Sequence, residues 1–130
     1  MKLKIITHER IVFDGEADEI VIQTTTGQMG ILKDRLPITT ALDIGVTKIK
    51  QGEKYRYFAT IGGVFQFKDN IATILTDVCE DGKDIDVTRA NAAKDRAESR
   101  LADNTAKIDI QRAQAALARS LARLKAALSK

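Results

Sequence analysis

Every glycine in this chain, its single proline and all six of its phenylalanines and tyrosines lie within residues 1–82, whereas residues 85–130 contain none of these and thirteen alanines. Glycine and proline punctuate chains with turns, and alanine is the strongest helix former. One uniform architecture is therefore excluded, and the 130 residues divide into two units, 1–84 and 85–130. Charge divides with them. The first unit holds 11 Lys and Arg against 13 Asp and Glu, a balance of −2; the second holds 10 against 5, a balance of +5.

The first unit reads as short strands between turns. Leu3 to Ile6 is a brief apolar run. Ile20 and Ile22 alternate with Glu19 and Gln23, and Tyr55, Tyr57, Ala59 and Ile61 alternate with Lys54, Arg56 and Thr60. Ile71, Thr73 and Leu75 share one face of a later run. A period of two with β-branched residues predicts half-buried strands. The pairs Asp14-Gly15, Thr26-Gly27, Gln51-Gly52, Gly62-Gly63 and Asp69-Asn70 are the expected turns. Many short strands predict a sandwich or small barrel. Nothing before residue 84 is long enough for a crossover helix, so pairing is expected to be antiparallel.

The second unit reads as two helices. Asp86 is the expected N-cap of the first, which runs to about Ala102. Asp103-Asn104-Thr105 is the expected turn, and the second helix ends near Leu128. Ala90, Ala93, Ala97 and Leu101 draw a seam on the first helix; Ile110, Leu117, Leu121, Leu124 and Leu128 draw one on the second. A short loop makes the helices antiparallel neighbours. An alanine seam buries little area, so packing is expected to be weak while helix propensity stays high. The predicted class is α+β, mostly β: an N-terminal antiparallel β-sandwich followed by an antiparallel two-helix hairpin that can open and re-dock.

Several functions are disfavoured. No apolar run approaches eighteen residues, so no transmembrane helix is expected, and no leader segment opens the chain. A single Cys79 allows no internal disulfide. One His and one Cys do not make an obvious zinc site or nucleophilic pair. Asp77, Glu80, Asp81, Asp84 and Asp86 cluster between the units, yet with no His nearby they read as a solvated acidic turn rather than an acid–base centre. The basic tail has no aromatic platform, so no nucleic acid is expected as partner.

Three segments narrow the field. Thr26-Gly27-Gln28-Met29-Gly30-Ile31-Leu32, with Pro37 beyond it, resembles the turn segment of the epsilon subunit of bacterial F-type ATP synthases. Ile61-Gly62-Gly63-Val64-Phe65 is similar to that family's Gly-Gly segment, and Ile85-Asp86-Val87-Thr88-Arg89-Ala90 to its Ile-Asp-x-x-Arg-Ala motif. The resemblance spans the whole chain. It implies a non-catalytic subunit at the cytoplasmic face of the membrane, peripheral and not inserted. Its sandwich would bind the gamma subunit and the c-ring, and its tail would inhibit ATP hydrolysis when extended toward the alpha and beta subunits. A purely mechanical coupler is the alternative. The family commonly places Pro-Gly-His where Lys33-Asp34-Arg35 stand here, so this chain puts an Asp–Arg charge pair in that loop. Gln28, Met29, Asp34 and Arg35 are the implied ring contacts; for Met29, core packing stands as the other reading.

No cofactor is required, but some bacterial members bind ATP when the tail is folded. The resemblance carries that site onto Glu80, Ile85, Asp86, Arg89, Ala90, Arg96, Arg119 and Arg123. The residue types fit. Arg89 and Arg96, seven apart, share a helix face, as do Arg119 and Arg123, four apart. Arginine offers planar, permanently charged forks to a polyphosphate. There is no Gly-x-x-x-x-Gly-Lys loop, which makes the implied site a sensor. Asp86 and Arg89 admit two readings, a helix cap alone or a cap that also contacts nucleotide. The arginines likewise admit a solvated basic face, and Arg112 and Lys125 join Arg119 and Arg123 as candidate contacts to acidic partners.

Overall fold

A computed structural model of the chain describes residues 1–103 and 107–129, with only the backbone at 107–109. Eight strands come first: β1 (Lys2–Ile6), β2 (Ile11–Glu16), β3 (Glu19–Thr24), β4 (Gly27–Leu32), β5 (Ile38–Gln51), β6 (Lys54–Lys68), β7 (Ile71–Leu75) and β8 (Val78–Asp81). A 3-10 turn (Gly82–Asp84) then leads to α1 (Val87–Asp103) and α2 (Lys107–Leu128). The expected first helix is present within a residue of its predicted end. The predicted turn at Asn104-Thr105 lies outside the described residues.

The strands form one continuous hydrogen-bonded path, β2-β1-β7-β6-β5-β3-β4, with β8 added to β6. β5 and β6 are long enough to serve both halves of the sandwich. The end of β6 pairs with β7 from Val64 to Lys68, and its earlier part pairs with β8 from Phe58 to Ile61. The change of partner falls at Gly62 and Gly63, where φ is +68° and +117°. These glycines therefore sit inside a strand and bend it, which corrects the expectation of a turn there. A Cβ at Gly63 would collide with the carbonyl oxygen of Leu75. The bend also resets the facing pattern. Phe58, Phe65 and Phe67 all enter the core, although seven residues separate the first two and a flat strand would put them on opposite faces.

Asp14-Gly15 is likewise not a turn, because Gly15 pairs with Leu3 inside the β1–β2 ladder. Asp69 and Asn70 do form a tight turn, with φ of +53° and +61°, the left-handed geometry a two-residue hairpin needs. Pairing is antiparallel with one exception: β1 runs parallel to β7. The link between them is most of the sandwich itself, so no crossover helix is needed. Leu3, Ile5, Ile20, Ile22, Ile31, Ile49, Ile74 and the three phenylalanines form the core.

The hairpin lies against the sandwich through α2, which contacts β5, β6 and the 3-10 turn. Ala59, beside Phe58 and on the other face of β6, is fully buried as a result. At the contact the residues are small. Among the described residues, Ala113, Ser120, Ala122, Leu124 and Ala126 are the buried members of α2, and Ala90 and Ala97 those of α1. The leucine seam expected on α2 is thus only partly used: Leu124 is buried, but Leu121 and Leu128 are 48% and 66% exposed. α2 faces two partners at once, α1 and the sandwich, and close approach on both sides selects alanine and serine over leucine. Gly82 shows how close that approach is, since a Cβ there would collide with the carbonyl of Ala126.

Candidate functional site

Where β8, the start of α1 and the later half of α2 meet, they enclose a cleft of about 340 Å3. Glu80, Asp84, Ile85, Asp86, Arg89, Ala90, Ala93, Arg96 and Arg123 line it. A second hollow of about 220 Å3 continues between the helices and shares Ala93, Arg96 and Arg123. Its remaining walls are Ala97, Arg100, Ala116, Arg119 and Ser120. Volumes of this size suit a small ligand.

The charges are not mixed evenly. Glu80, Asp84 and Asp86 line the larger cleft together with Arg89, Arg96 and Arg123, whereas the second hollow has four arginines and no carboxylate. The carboxylates suit hydrogen-bond donors, such as amino and hydroxyl groups; the arginine-rich extension suits a polyanion.

Each side chain has a local cause. α1 begins at Val87 because Asp86 caps it: its Oδ1 accepts the backbone N–H of Arg89 at 3.1 Å. That cap places Arg89 in the first helical turn, a position where acids are the favourable choice. Among the described residues no ion pair engages Arg89, Arg96, Arg100 or Arg119. Arg123 differs. Its Nε donates to Glu80 Oε1 at 2.9 Å, an ion pair that ties α2 to the sandwich.

Asp81, next along β8, is held from the other side. It accepts from an Arg56 guanidinium nitrogen at 2.7 Å and from the backbone N–H of Lys83 at 3.0 Å. Burial alone would raise its pKa, but these two bonds and the nearby cationic charge outweigh burial and hold the carboxyl below its ordinary range. Of the five clustered carboxylates, Glu80 thus pairs with Arg123, Asp81 with Arg56, and Asp86 caps α1. Among the described residues no group of three metal-capable side chains converges.

Seven of the eight residues marked by the motif resemblance line the larger cleft, and Arg119 lines its extension. Asp84 and Ala93 complete the walls of the larger cleft, and Ala97, Arg100, Ala116 and Ser120 those of its extension; the motif does not mark them. Ala93 was legible in the small-residue seam three positions after Ala90, and Asp84 directly precedes the motif.

The four implied ring contacts are not brought together. Gln28 is exposed at the start of β4, and Asp34 is exposed two residues past its end. Four residues of strand, 29–32, and then Lys33 separate these two places along the chain. Met29 is half-buried and packs against the core. Asp34, with φ of +64°, exchanges hydrogen bonds with Asn70: its N–H donates at 2.6 Å and its Oδ1 accepts at 3.0 Å. Arg35 donates to the carbonyl of Leu36 at 3.3 Å, so the two charges of the loop engage different partners.

A β-sandwich carrying a docked basic helical hairpin, with a polar cleft at the joint, defines a two-part α+β protein. Comparison with known proteins makes this particular. The family described as ATP synthase, Delta/Epsilon chain, beta-sandwich domain matches residues 1–82, and the long alpha-helix domain of the same chain matches residues 83–127. The chain is 47% identical over 128 residues to the ATP synthase epsilon chain of Symbiobacterium thermophilum, covering 98% of this chain and 92% of that one. It is 40% identical over 126 residues to the epsilon chain of Desulforamulus reducens, covering 97% and 96%. A chain of the Euglena gracilis mitochondrial ATP synthase, solved as OSCP/F1/c-ring, shares the fold with a TM-score of 0.84 at 22% identity, covering 98% of this chain and 80% of that one. The chain belongs to the ATP synthase delta/epsilon family, and as an epsilon chain it is a non-catalytic subunit. Among the described residues no helix is long and apolar enough to cross a membrane.

Proposed function

We propose that this chain couples rotation of the c-ring to the catalytic head through its sandwich and gamma, and that its tail is an ATP-responsive brake on hydrolysis. The observation that carries the reading is the polarised cleft at the joint between the units. Glu80 and the neighbouring carboxylates would receive the base and sugar of ATP, and Arg89, Arg96 and Arg119 would receive the triphosphate. ATP bound there touches β8, α1 and α2 together and so favours the folded tail.

The rest of the molecule supports a tail that moves. Its interface with the sandwich is made of small residues, which release little apolar surface on leaving. Leu121 and Leu128 point outward, free to meet gamma or the alpha and beta subunits in an extended state. The same arginines would then face acidic segments of the head, so ATP and the head compete for one set of cations. Individually such pairs are worth about 0–1 kcal/mol, but several can shift a nearly balanced equilibrium. The working place is the cytoplasmic face of the membrane, beside the ring.

The test uses the cognate catalytic head lacking epsilon. Full-length protein is expected to slow ATP hydrolysis, and rising ATP to relieve the effect. A chain ending at residue 84 is expected to bind gamma without inhibiting. If both forms bind gamma and neither slows hydrolysis, the chain is a mechanical coupler and the brake reading fails.

A further inference from the structure

We propose that Arg56 is a positioning residue for tail docking: by holding Asp81 it aims the neighbouring Glu80 at Arg123. Along a strand, successive side chains point to opposite faces. β8 has only four residues and its one partner among the described strands is β6, through Phe58 to Ile61. A short edge strand of this kind has little of its own to fix its end. Its last two residues are anchored in opposite directions. Asp81 turns toward Arg56 on β6, and Glu80 turns toward Arg123 on α2.

Arg56 is itself tightly placed. Its guanidinium carbon lies 5.1 Å from the ring centroids of both Phe13 and Phe58. Those two rings meet edge to face at 6.0 Å, so the platform is rigid. The Nε of Arg56 is buried with no hydrogen-bond partner among the described residues, so the guanidinium is held by the two rings and by its bond to Asp81. Asp81 also caps the 3-10 turn through Lys83, and that turn leads directly into Ile85 and Asp86 at the mouth of the cleft. One guanidinium therefore sets the direction of Glu80 and the path of the chain entering α1.

A second contact strengthens the assignment. Arg56 and Lys83 border a hollow whose far wall is Ala126, Ala127 and Ser129, at the last turn of α2. Positive charge at a helix C-terminus is favourable. Asp81 lines the same hollow, so the Arg56–Asp81 pair lies between the strand that grips the tail and the end of α2.

The experiment compares wild type, Arg56→Met, Arg56→Glu and the exchanged pair Arg56→Glu with Asp81→Arg. Amide hydrogen exchange is read separately for α2 and for β3–β5, without nucleotide, and ATP affinity is measured by calorimetry. Arg56→Met is expected to lower α2 protection and ATP affinity about tenfold each, with β3–β5 unchanged; Arg56→Glu is expected to do more, and the exchanged pair to restore most of both. A uniform loss of protection across the sandwich would make Arg56 a structural residue only and overturn the proposal. So would unchanged α2 protection in Arg56→Met, or an exchanged pair that folds and fails to restore it. The affinity readout rests on the ATP reading of the cleft, whereas the exchange readout does not. If wild type binds no ATP, that reading fails and α2 protection alone decides this one.

Discussion

Replacing Arg96 with alanine separates binding from folding. Arg96 is exposed on α1, borders both the cleft and its extension, and has no ion-pair partner among the described residues. Its loss should change folding stability by no more than about 0.5 kcal/mol, the usual scale for an exposed position. Against a triphosphate the same side chain would make charge-assisted hydrogen bonds worth roughly 1.5–3 kcal/mol. Exposure to solvent argues for the lower end, which weakens ATP binding about tenfold. Calorimetry reads that change directly. Thermal melting reads it again through linkage. ATP at 100 times its dissociation constant stabilises the folded, tail-down protein by about 2.7 kcal/mol, and tenfold weaker binding leaves about 1.4 kcal/mol. Arg112→Ala is the matched control, because Arg112 is exposed on α2 and lines neither hollow. Equal affinities for Arg96→Ala and wild type, or equal losses for Arg96→Ala and Arg112→Ala, would refute the reasoning.

Other perturbations probe the scaffold. Asp86→Ala removes the cap of α1 and should cost the tail about 1 kcal/mol, seen as faster exchange of the first helical amides, while Asp86→Asn should keep most of the protection. Phe58→Ala empties a fully buried site and should lower sandwich stability by about 3–5 kcal/mol, read from the urea midpoint. Burial, only partly offset by a hydrogen bond with Thr60, pushes the Cys79 thiol from 9.0 up to about 11. The folded state therefore favours the neutral thiol. Its contribution is complete below pH 9 and is lost as pH rises toward 11, and in folded protein at pH 8 iodoacetamide should label Cys79 far more slowly than in urea.

Much of this was legible in the residues because local rules and tertiary contacts agree. Asp86 caps α1 by side-chain chemistry that needs no distant partner, and the change from glycine and aromatics to alanine separates the strands from the helices. The glycine-bearing pairs at 14–15 and 62–63 misled because glycine serves two purposes. At Gly62 and Gly63 it bends a strand that changes partners, and only the identity of those partners distinguishes a bend from a turn. The parallel β1–β7 pair was hidden for the same reason, since it joins segments nearly seventy residues apart. On α2, periodicity picked out the leucines, but close packing on two sides buries alanine and serine beside Leu124 and leaves Leu121 and Leu128 exposed. The cleft residues were found through a motif. Their convergence depends on Glu80 meeting Arg123, a contact across 43 positions that no spacing rule contains.

The central claim is that ATP holds the tail down, and the most direct measurement is amide exchange of α2 in the full-length subunit with and without ATP. ATP should slow exchange in α1 and α2 markedly, leave β3–β5 unchanged, and lose this effect in Arg96→Ala. Equal exchange in α2 at zero and millimolar ATP would contradict the claim.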